Sequence, residues 1–370
     1  MSALFQPLKV GTATLSNRIA LAPLTRYRAD DNHVPLPFVA EYYEQRGSYS
    51  GTLLITEATF IAPEAGGYAN VPGIYNAEQI KGWKAITDAV HAKGSFIYLQ
   101  LWALGRAAKA ETLKAELGDA GKVVSASDIP ITGGPTPVPL TEEEIHKFIG
   151  FYAQAAKNAI EAGFDGVEVH GANGYLIDQF LQDKSNQRTD SWGGSVENRA
   201  RFGLEVTKAV VEAIGAERTG IRMSPFSVFQ GMGMTDPVPQ FTYYTNELKK
   251  LKLAYLHVVE SRTAGFAEED AYGKIDFIID IWGNTSPVFI AGGFTAEAAY
   301  KAADEEHKGK NVGIVFGRYF ISNPDLVFKV KEKIDFTPYD RKTFYNTKNP
   351  KGYTDWPFSK EWEAQQAAKL

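Results

Sequence analysis

Eight short and almost uninterrupted apolar runs recur along the chain, and they limit its possible folds more than any other feature. Each run has the length of one β-strand and ends in polar residues or glycine. The runs cover residues 19–25, 53–60, 96–102, 166–170, 219–225, 255–261, 288–293 and 312–318. Strands that are apolar on both faces are typical of parallel sheets covered by helices on both sides. The pattern therefore predicts an α/β fold built on parallel strands.

Helical patterns lie between these runs, and the clearest covers residues 141–162. Thr141 and Glu144 form a T-x-x-E capping box there, and apolar residues then follow at intervals of three and four. Similar spacing or capping residues predict four further helices: at 78–93, at 198–214, after Thr295 and after Ser322. Eight strands alternating with helices predict a closed (β/α)8 TIM barrel. An open doubly wound sheet would also alternate, but no Gly-x-Gly-x-x-Gly motif follows the first strand.

The barrel accounts for most of the chain, and we expect a single domain over residues 1–370. Three segments lie outside the strand–helix alternation. Residues 4–18 are expected to form an N-terminal hairpin, and 104–140 is long enough to be a lid or insertion after strand three. Residues 334–370 are rich in aromatic side chains, so we expect this tail to pack on the barrel.

Charge and composition narrow the choice of partners. The net charge is −5 and no basic block is present, which argues against nucleic acid. No apolar run reaches the ~18–20 residues of a membrane span and the N-terminus lacks a signal peptide, so a cytoplasmic protein is expected. The chain has no cysteine, which excludes thiolate catalysis and cysteine-ligated metals.

A cluster of polar residues follows the fourth predicted strand. His170, Asn173 and Tyr175 lie within six residues of one another, directly after the run that ends at Val169. Chemistry in TIM barrels takes place at the carboxyl ends of the strands. Two hydrogen-bond donors and a phenol at that position suit a site that holds a carbonyl oxygen and delivers a proton beside it.

The last two strand ends indicate a phosphate site. Gly292-Gly293 precedes the predicted N-cap Thr295, and Gly317-Arg318 follows the eighth strand. Loops after strands seven and eight of TIM barrels often bind phosphate through backbone N–H groups, and an arginine can add paired hydrogen bonds. Read alone, both glycine sites could also be simple turns.

Two further strand-end residues suggest a cofactor across the barrel mouth. Gln100 offers a donor and an acceptor, which suits the pyrimidine edge of a flavin, and Arg222 would stabilise negative charge on that ring. Arg222 could instead, or in addition, form a salt bridge with Glu168.

One rival chemistry uses the three glutamates on alternate strands. Glu57, Glu168 and Glu260 could bind Mg²⁺ in a lyase or isomerase. That reading leaves His170, Asn173 and Tyr175 without a role, and a buried glutamate paired to arginine is commoner. A non-enzymatic flavin-binding sensor is a second alternative.

Long motifs of the chain resemble the old yellow enzymes, FMN-dependent ene-reductases, and in particular their fungal and yeast branch. The similarity runs nearly end to end. The matching segments are APLTR at 22–26, TEATFI at 56–61, GGYANVPGIY at 66–75, QLWALGR at 100–106, VEVHGANGYLIDQFL at 167–181, RTDSWGGSVENRARF at 188–202, IRMSP at 221–225 and FGRYFISNPDL at 316–326.

The resemblance implies a TIM-barrel flavoprotein with non-covalent FMN and with NADPH or NADH as reductant. The implied cofactor-binding residues are Pro23, Leu24, Thr25, Ala58, Gln100, His170, Arg222, Gly292, Gly293, Gly317 and Arg318. The implied substrate-binding residues are His170, Asn173, Tyr68, Trp102 and Tyr345. The implied catalytic residues are Tyr175 as proton donor and the pair His170 and Asn173, which polarises the substrate; no metal is implied.

The reaction that the resemblance implies is reduction of the C=C bond of α,β-unsaturated aldehydes, ketones or nitroalkenes. A hydride passes from flavin N5 to Cβ, and Tyr175 gives a proton to Cα. A pathway-specific reductase or isomerase of one biosynthetic enal is an alternative, for which the presence of Tyr175 favours reduction. The physiological alkene and the choice between monomer and homodimer stay open.

Overall fold

The computed structural model describes residues 2–260 and 275–368, and strands of these residues account for all eight apolar runs. The strands are β1 Leu8–Val10, β2 Ala13–Leu15, β3 Ile19–Leu21, β4 Leu53–Ile55, β5 Thr59–Phe60, β6 Phe96–Trp102, β7 Val124–Ser125, β8 Val138–Pro139, β9 Gly166–Gly171, β10 Thr219–Met223, β11 Tyr255–Val259, β12 Val288–Ala291 and β13 Val312–Phe316.

Eight of these strands close into a parallel barrel. Neighbours follow the order β4, β3, β13, β12, β11, β10, β9 and β6, and pairing of β4 with β6 completes the ring. The closed barrel is therefore confirmed and the open sheet is wrong. The register places Gln100 opposite Glu168, and it places Arg222 opposite both His170 and His257.

Helices surround the barrel. They are α1 Val39–Arg46, α2 Ala77–Ala92, α3 Ala110–Leu117, α4 Glu142–Glu161, α5 Leu176–Leu181, α6 Val196–Ile214, α7 Val238–Lys250, α8 Asp276–Trp282, α9 Ala296–Lys301, α10 Arg318–Ser322, α11 Leu326–Glu332 and α12 Lys360–Ala367. Helix α4 has the predicted capping box, in which Thr141 and Glu144 each bond the other's backbone. Thr295 caps α9 as predicted.

Some boundaries differ from the prediction. Ser322 is the last residue of α10 and not an N-cap; its hydroxyl donates to the Thr337 carbonyl at 2.8 Å, and α11 begins after Asp325. The run 53–60 contains two strands, β4 and β5; β5 pairs with β6, and its Phe60 also forms an isolated bridge with Gly73. Ser261, the predicted end of the sixth run, lies outside the described residues.

Side chains of the barrel strands alternate between two environments. On β9, Val167 and Val169 belong to the large apolar core shared with the helices, whereas Glu168 points the other way, into the barrel. Inward-facing Tyr98 and Phe289 pack with hairpin residues of β1 and β2. The hairpin thus closes the amino-terminal end of the barrel, and the polar inward-facing residues lie nearer the carboxyl end.

The insertion after β6 contains α3, β7 and β8. Leu113 and Val123 from this segment are buried with Trp102, the last residue of β6. Arg106 donates to the carbonyls of Ile129 and Gln230 at 3.1 and 3.0 Å. The insertion is therefore anchored beside the carboxyl end of β6.

Buried arginines hold the C-terminal segment on the barrel. The guanidinium of Arg26 donates to the carbonyls of Phe344 and Gly352, and that of Arg28 donates to the carbonyl of Thr343. Tyr353 stacks on Tyr42 of α1, with ring centroids 3.9 Å apart. Among the described residues, no helix combines the length and the apolarity needed to cross a bilayer.

Two helical glycines should respond in opposite ways to alanine. Gly150 in α4 is exposed and has open space where a Cβ would lie, so Gly150→Ala should raise the free energy of unfolding by about 0.5–1 kcal/mol through helix propensity. A Cβ on Gly203 in α6 would lie 2.3 Å from the Tyr244 hydroxyl, so Gly203→Ala should lower it by about 1–3 kcal/mol. Urea unfolding followed by circular dichroism measures both, and shifts in the same direction would contradict this packing.

Candidate active site

A cavity of about 930 Å³ lies at the carboxyl ends of the barrel strands. It brings together most of the residues that the sequence placed in one site. The predicted residues that line it are Pro23, Leu24, Thr25, Asn173, Tyr175, Arg222, Gly293, Gly317, Arg318 and Tyr345. Segments of β3, β9, β10, β12 and β13 that are distant in the sequence therefore meet here because the barrel closes.

His170, Tyr175 and Trp102 form an aromatic cluster at the wall of this cavity. The Tyr175 ring meets the Trp102 ring edge-on at 4.8 Å and the His170 ring at 5.1 Å. Trp102 is only 1% exposed and His170 only 4%. Trp102 therefore supports the other two rings from beneath, and Tyr175 is the member that lines the cavity.

Burial sets the protonation of this cluster. It lowers the pKa of His170 well below its ordinary value, and the nearby charge of Arg222 adds to this effect. It also raises the pKa of Tyr175 far above 10. At neutral pH the imidazole is therefore uncharged and the phenol carries its proton. The Nδ1 atom of His170 has no hydrogen-bond partner among residues 2–260 and 275–368.

The turn after β9 is held by residues that the sequence analysis missed. Asn173 has a positive φ of 58°, and its N–H donates to the Ser224 hydroxyl at 2.7 Å. The Gln230 side-chain amide donates to the Asn173 carbonyl at 2.8 Å, and the Gly174 N–H donates to the Asp178 carboxylate at 2.8 Å. Asp178 could have been found, since it is a charged residue in the otherwise apolar start of α5, four residues after Gly174. Nothing local points to Gln230.

The opposite end of the cavity is cationic. Gly293, with φ 67°, and Gly317 line it beside Arg318, whose guanidinium lies 5.5 Å from the centre of the Tyr339 ring. Arg341, which the sequence analysis missed, also lines this end. Backbone N–H groups, a glycine in the left-handed region and an arginine form a site suited to a phosphate.

A polar layer lies inside the barrel beneath the cavity. Gln100 donates through Nε2 to Glu168 at 2.7 Å, and His257 contacts the other Glu168 oxygen through Nδ1 at 2.8 Å. An ion pair between Arg222 and Glu168, one possible role of Arg222, is not among the salt bridges of the described residues. Glu168 pairs with His257 instead, and the charge of Arg222 still lowers the pKa of the carboxyl. The Arg222 Nε atom has no partner within the part of the chain that the structure describes.

Other predicted residues lie away from the cavity wall. Ala58 is buried with Phe60, and a Cβ on Gly292 would lie 2.3 Å from a Glu260 carboxylate oxygen. Gly292 is thus the residue that leaves room for Glu260. Tyr68 lies edge-on to Trp102 at 5.8 Å.

The rival magnesium site lacks a common centre. Glu168 is engaged with Gln100 and His257, whereas Glu57 accepts the backbone N–H of Arg26 at 3.2 Å. No group of three or more histidine, aspartate or glutamate side chains that could hold a metal ion occurs among the described residues. The glutamates on alternate strands therefore serve separate networks.

The residues present fit a flavin mononucleotide. The cavity combines a phosphate-binding end with Arg222 at its wall. The buried Nε atom of Arg222 and the buried Nδ1 atom of His170 both lack a hydrogen-bond partner among the described residues. A buried polar atom without a partner is costly, and a planar ligand with a mixed edge of N–H and C=O groups would satisfy Arg222.

The sequence profile described as the NADH:flavin oxidoreductase / NADH oxidase family matches residues 3–336. The chain belongs to this family. Its structure is similar to the crystal structure of Old Yellow Enzyme from a Pichia species, with a TM-score of 0.88 and 39% identity over 97% of this chain and 94% of that one. The predicted resemblance is thereby confirmed.

Curated fungal relatives extend the comparison. A chanoclavine-I aldehyde reductase of Penicillium roqueforti is 60% identical over 98% of both chains. An NADP-dependent oxidoreductase of Aspergillus flavus is 53% identical over 97% of both chains. The protein is thus an oxidoreductase of the Old Yellow Enzyme type, and its family implies FMN as cofactor and a reduced nicotinamide as electron source.

Glu57 should make stability depend on pH. Burial raises its pKa to about 7, and the hydrogen bond from the Arg26 backbone N–H and the charges of Arg26 and Arg28 offset this rise only in part. The folded protein then holds a proton that the unfolded chain loses, so this contribution to the free energy of unfolding falls as pH rises from 4.5 to about 7.

Glu57→Gln removes this titration. Relative to wild type, the free energy of unfolding of the variant should therefore rise between about pH 4.5 and about pH 7, by on the order of 2 kcal/mol. Urea unfolding at several pH values measures the difference. A difference that stays constant or falls with pH would show that the folded protein does not raise the pKa of Glu57.

Proposed function

We propose that this protein reduces the C=C bond of an α,β-unsaturated aldehyde, with FMN as cofactor and NADPH as the preferred reductant. The observation that carries the proposal is the meeting of an uncharged His170, with Nδ1 unpartnered, and a protonated Tyr175 at the wall of a cavity whose far end suits a phosphate. Unsaturated ketones and nitroalkenes present the same oxygen-bearing group and are further substrates.

The FMN would be held by three groups of residues. The phosphate would lie at Gly293, Gly317 and Arg318, and Pro23, Leu24 and Thr25 would line the ring. Gln100 and Arg222 would bind its pyrimidine edge. Bound FMN would supply the hydride chemistry that connects the nicotinamide to the substrate carbon.

His170 and Asn173 would bind the substrate oxygen. The low pKa of His170 keeps the ring neutral, so it donates a hydrogen bond without holding a full charge in the cavity. Asn173 is fixed through its backbone by Ser224 and Gln230, which orients its side-chain donor before substrate arrives. Two prepositioned donors stabilise negative charge on that oxygen better than mobile water does.

Tyr175 would deliver the proton to Cα. Its raised pKa keeps the hydroxyl protonated over the whole range in which the protein would work. An acid of such high pKa transfers its proton only to a strongly basic carbon, which Cα becomes when His170 and Asn173 hold the oxygen and hydride reaches Cβ. The presence of Tyr175 favours net reduction over isomerisation.

The names of two relatives support the proposed aldehyde substrate and the proposed preference for NADPH. The Penicillium roqueforti relative is named for an aldehyde substrate, and the Aspergillus flavus relative is named for NADP. At identities of 60% and 53% over nearly the full length, the same class of substrate and the same nicotinamide are reasonable for this chain.

Purification tests the cofactor directly. The protein should be yellow, with absorbance near about 450 nm that NADPH bleaches anaerobically faster than NADH does, and addition of an unsaturated aldehyde should restore the colour. A colourless protein that takes up no added FMN would overturn the proposal. Bleaching by NADPH without restoration by any activated alkene would instead support a flavin-binding sensor.

Tyr175→Phe should separate the two half-reactions. Loss of a general acid lowers the rate of alkene reduction about 10²–10⁴-fold, whereas NADPH bleaches the variant at nearly the wild-type rate. Stopped-flow absorbance measures each half-reaction. Equal loss in both would contradict the proton-donor role. Tyr319→Phe removes a hydroxyl from another tyrosine that lines the cavity and has no role assigned to it, so it serves as the matched control.

The double variant His170→Ala, Asn173→Ala should weaken binding of phenolate ligands. Hydrogen bonds to a charged oxygen contribute about 1.5–3 kcal/mol each, so the dissociation constant should rise at least about tenfold. Titration of the flavin absorbance with a substituted phenol measures it. Unchanged affinity in a variant that still binds FMN would remove both residues from the oxygen site.

A further inference from the structure

Four polar side chains inside the barrel form a hydrogen-bonded layer beneath the cavity. Glu168 lies at its centre: one carboxylate oxygen accepts from Gln100, and the other accepts from the Tyr255 hydroxyl at 3.0 Å and from His257 at 2.8 Å. Glu168, His257 and Tyr255 are 0% exposed and Gln100 is 1% exposed. Buried charged and polar groups are often no more stabilising than apolar packing in the same space. Stability alone therefore does not explain this layer.

The neighbours of Glu168 keep its carboxyl group ionised. Burial alone would raise the pKa of this carboxyl, but the attraction of His257, its hydrogen bond and the charge of Arg222 together lower it. Burial lowers the pKa of His257 and the Glu168 carboxylate opposes that shift; Nδ1 can donate to the carboxylate whether or not the ring is charged. Glu168 is thus a carboxylate with acceptor atoms only.

A carboxylate at this position fixes the orientation of the Gln100 amide. Only the NH2 group of Gln100 can bond to an ionised carboxylate, so Oε1 must point away from Glu168. A neutral partner at position 168 could donate or accept, and both amide orientations would then be allowed. The charge of Glu168 therefore determines which Gln100 atom is available to a ligand above the layer.

We propose that Glu168, held in place by His257, is a positioning residue for the flavin: it directs Gln100 Oε1 toward the ring N–H and partly balances the charge of Arg222. This inference rests on the proposed function, since it needs FMN in the cavity. Glu168 acts through Gln100 and Arg222 and touches no reacting atom.

Two consequences follow for bound FMN. Loss of the fixed amide orientation removes about one hydrogen bond from the oxidised ring, which weakens its binding about five- to tenfold. Loss of the negative charge of Glu168 leaves more of the positive charge of Arg222 uncompensated. This favours the more negative, reduced flavin over the oxidised form.

Glu168→Gln tests both consequences in the full-length protein. We expect the dissociation constant of FMN to rise about five- to tenfold, because one hydrogen bond is lost. A fluorescence titration of the apoprotein measures it. We also expect a more positive reduction potential, measured by equilibration with reference dyes. Wild-type values for both quantities would overturn the inference.

Tyr98→Phe is the matched control. It removes a buried hydroxyl that has no hydrogen-bond partner among the described residues, and its ring packs on Tyr255 at 5.5 Å in the same interior. A general loosening of the barrel interior would change FMN binding in this variant as well. We expect Tyr98→Phe to bind FMN with wild-type affinity and to keep the wild-type reduction potential. Shifts as large as those of Glu168→Gln would overturn the inference.

His257 supplies a second test if Glu168→Gln does not fold. His257→Leu removes a donor from Glu168, so the carboxyl should take up a proton more readily and the flavin potential should gain an additional dependence on pH. In this variant, the charged or titratable groups around Glu168 are Arg222 from β10 and Tyr255 from β11. His170 lies two residues after Glu168 on the same strand, β9. His257→Asn keeps a donor near the Nδ1 position and should restore the wild-type pH profile.

The outcomes separate this inference from the proposed function. A wild-type protein that takes up no FMN would contradict the proposed function itself. A wild-type protein that binds FMN, together with Glu168 and His257 variants of unchanged affinity, potential and pH profile, would overturn only the positioning role.

Discussion

Alternation of side chains along the closed barrel is the constraint on which the rest of the structure depends. Residues on each strand point by turns toward the helices and into the barrel. On β9, Val167 and Val169 pack against helices, so Glu168 must face the interior and His170 must follow it one level higher. A shift of register by one residue would bury the valines in the polar layer and expose Glu168 to apolar helices.

The barrel interior is consequently layered. Tyr98, Phe289 and Val315 fill the end closed by the hairpin, Glu168 and its partners form the middle, and the cavity lies above. The apolar lower layer excludes water from the polar one, which strengthens each hydrogen bond to Glu168 and raises the cost of losing any of them. The site is therefore rigid from below, whereas its rim consists of loops and the C-terminal segment.

Much of this arrangement could be predicted from the sequence, and the exceptions share a physical cause. Continuous apolar runs and the T-x-x-E box at Thr141 are local signals, and they identified the barrel and α4. The partner of Glu168 stayed open because strand neighbours compete for one carboxylate: His257 and Arg222 lie opposite each other on adjacent strands, and only the packed interior determines which reaches it. Gln230 and Arg341 come from loops, whose path no periodicity describes.

The polar layer and Tyr175 are linked through β9 and the turn that follows it. Glu168 fixes β9 from inside the barrel, and five residues later the chain turns at Asn173 and Gly174, where Gln230 and Asp178 hold its backbone. Tyr175 then begins the approach to α5 with its ring against His170. Because the backbone is held on both sides of His170, its ring and that of Tyr175 keep a constant separation. Among the described residues no hydrogen bond joins these two side chains, so the proposed substrate would not have to break one to meet them both.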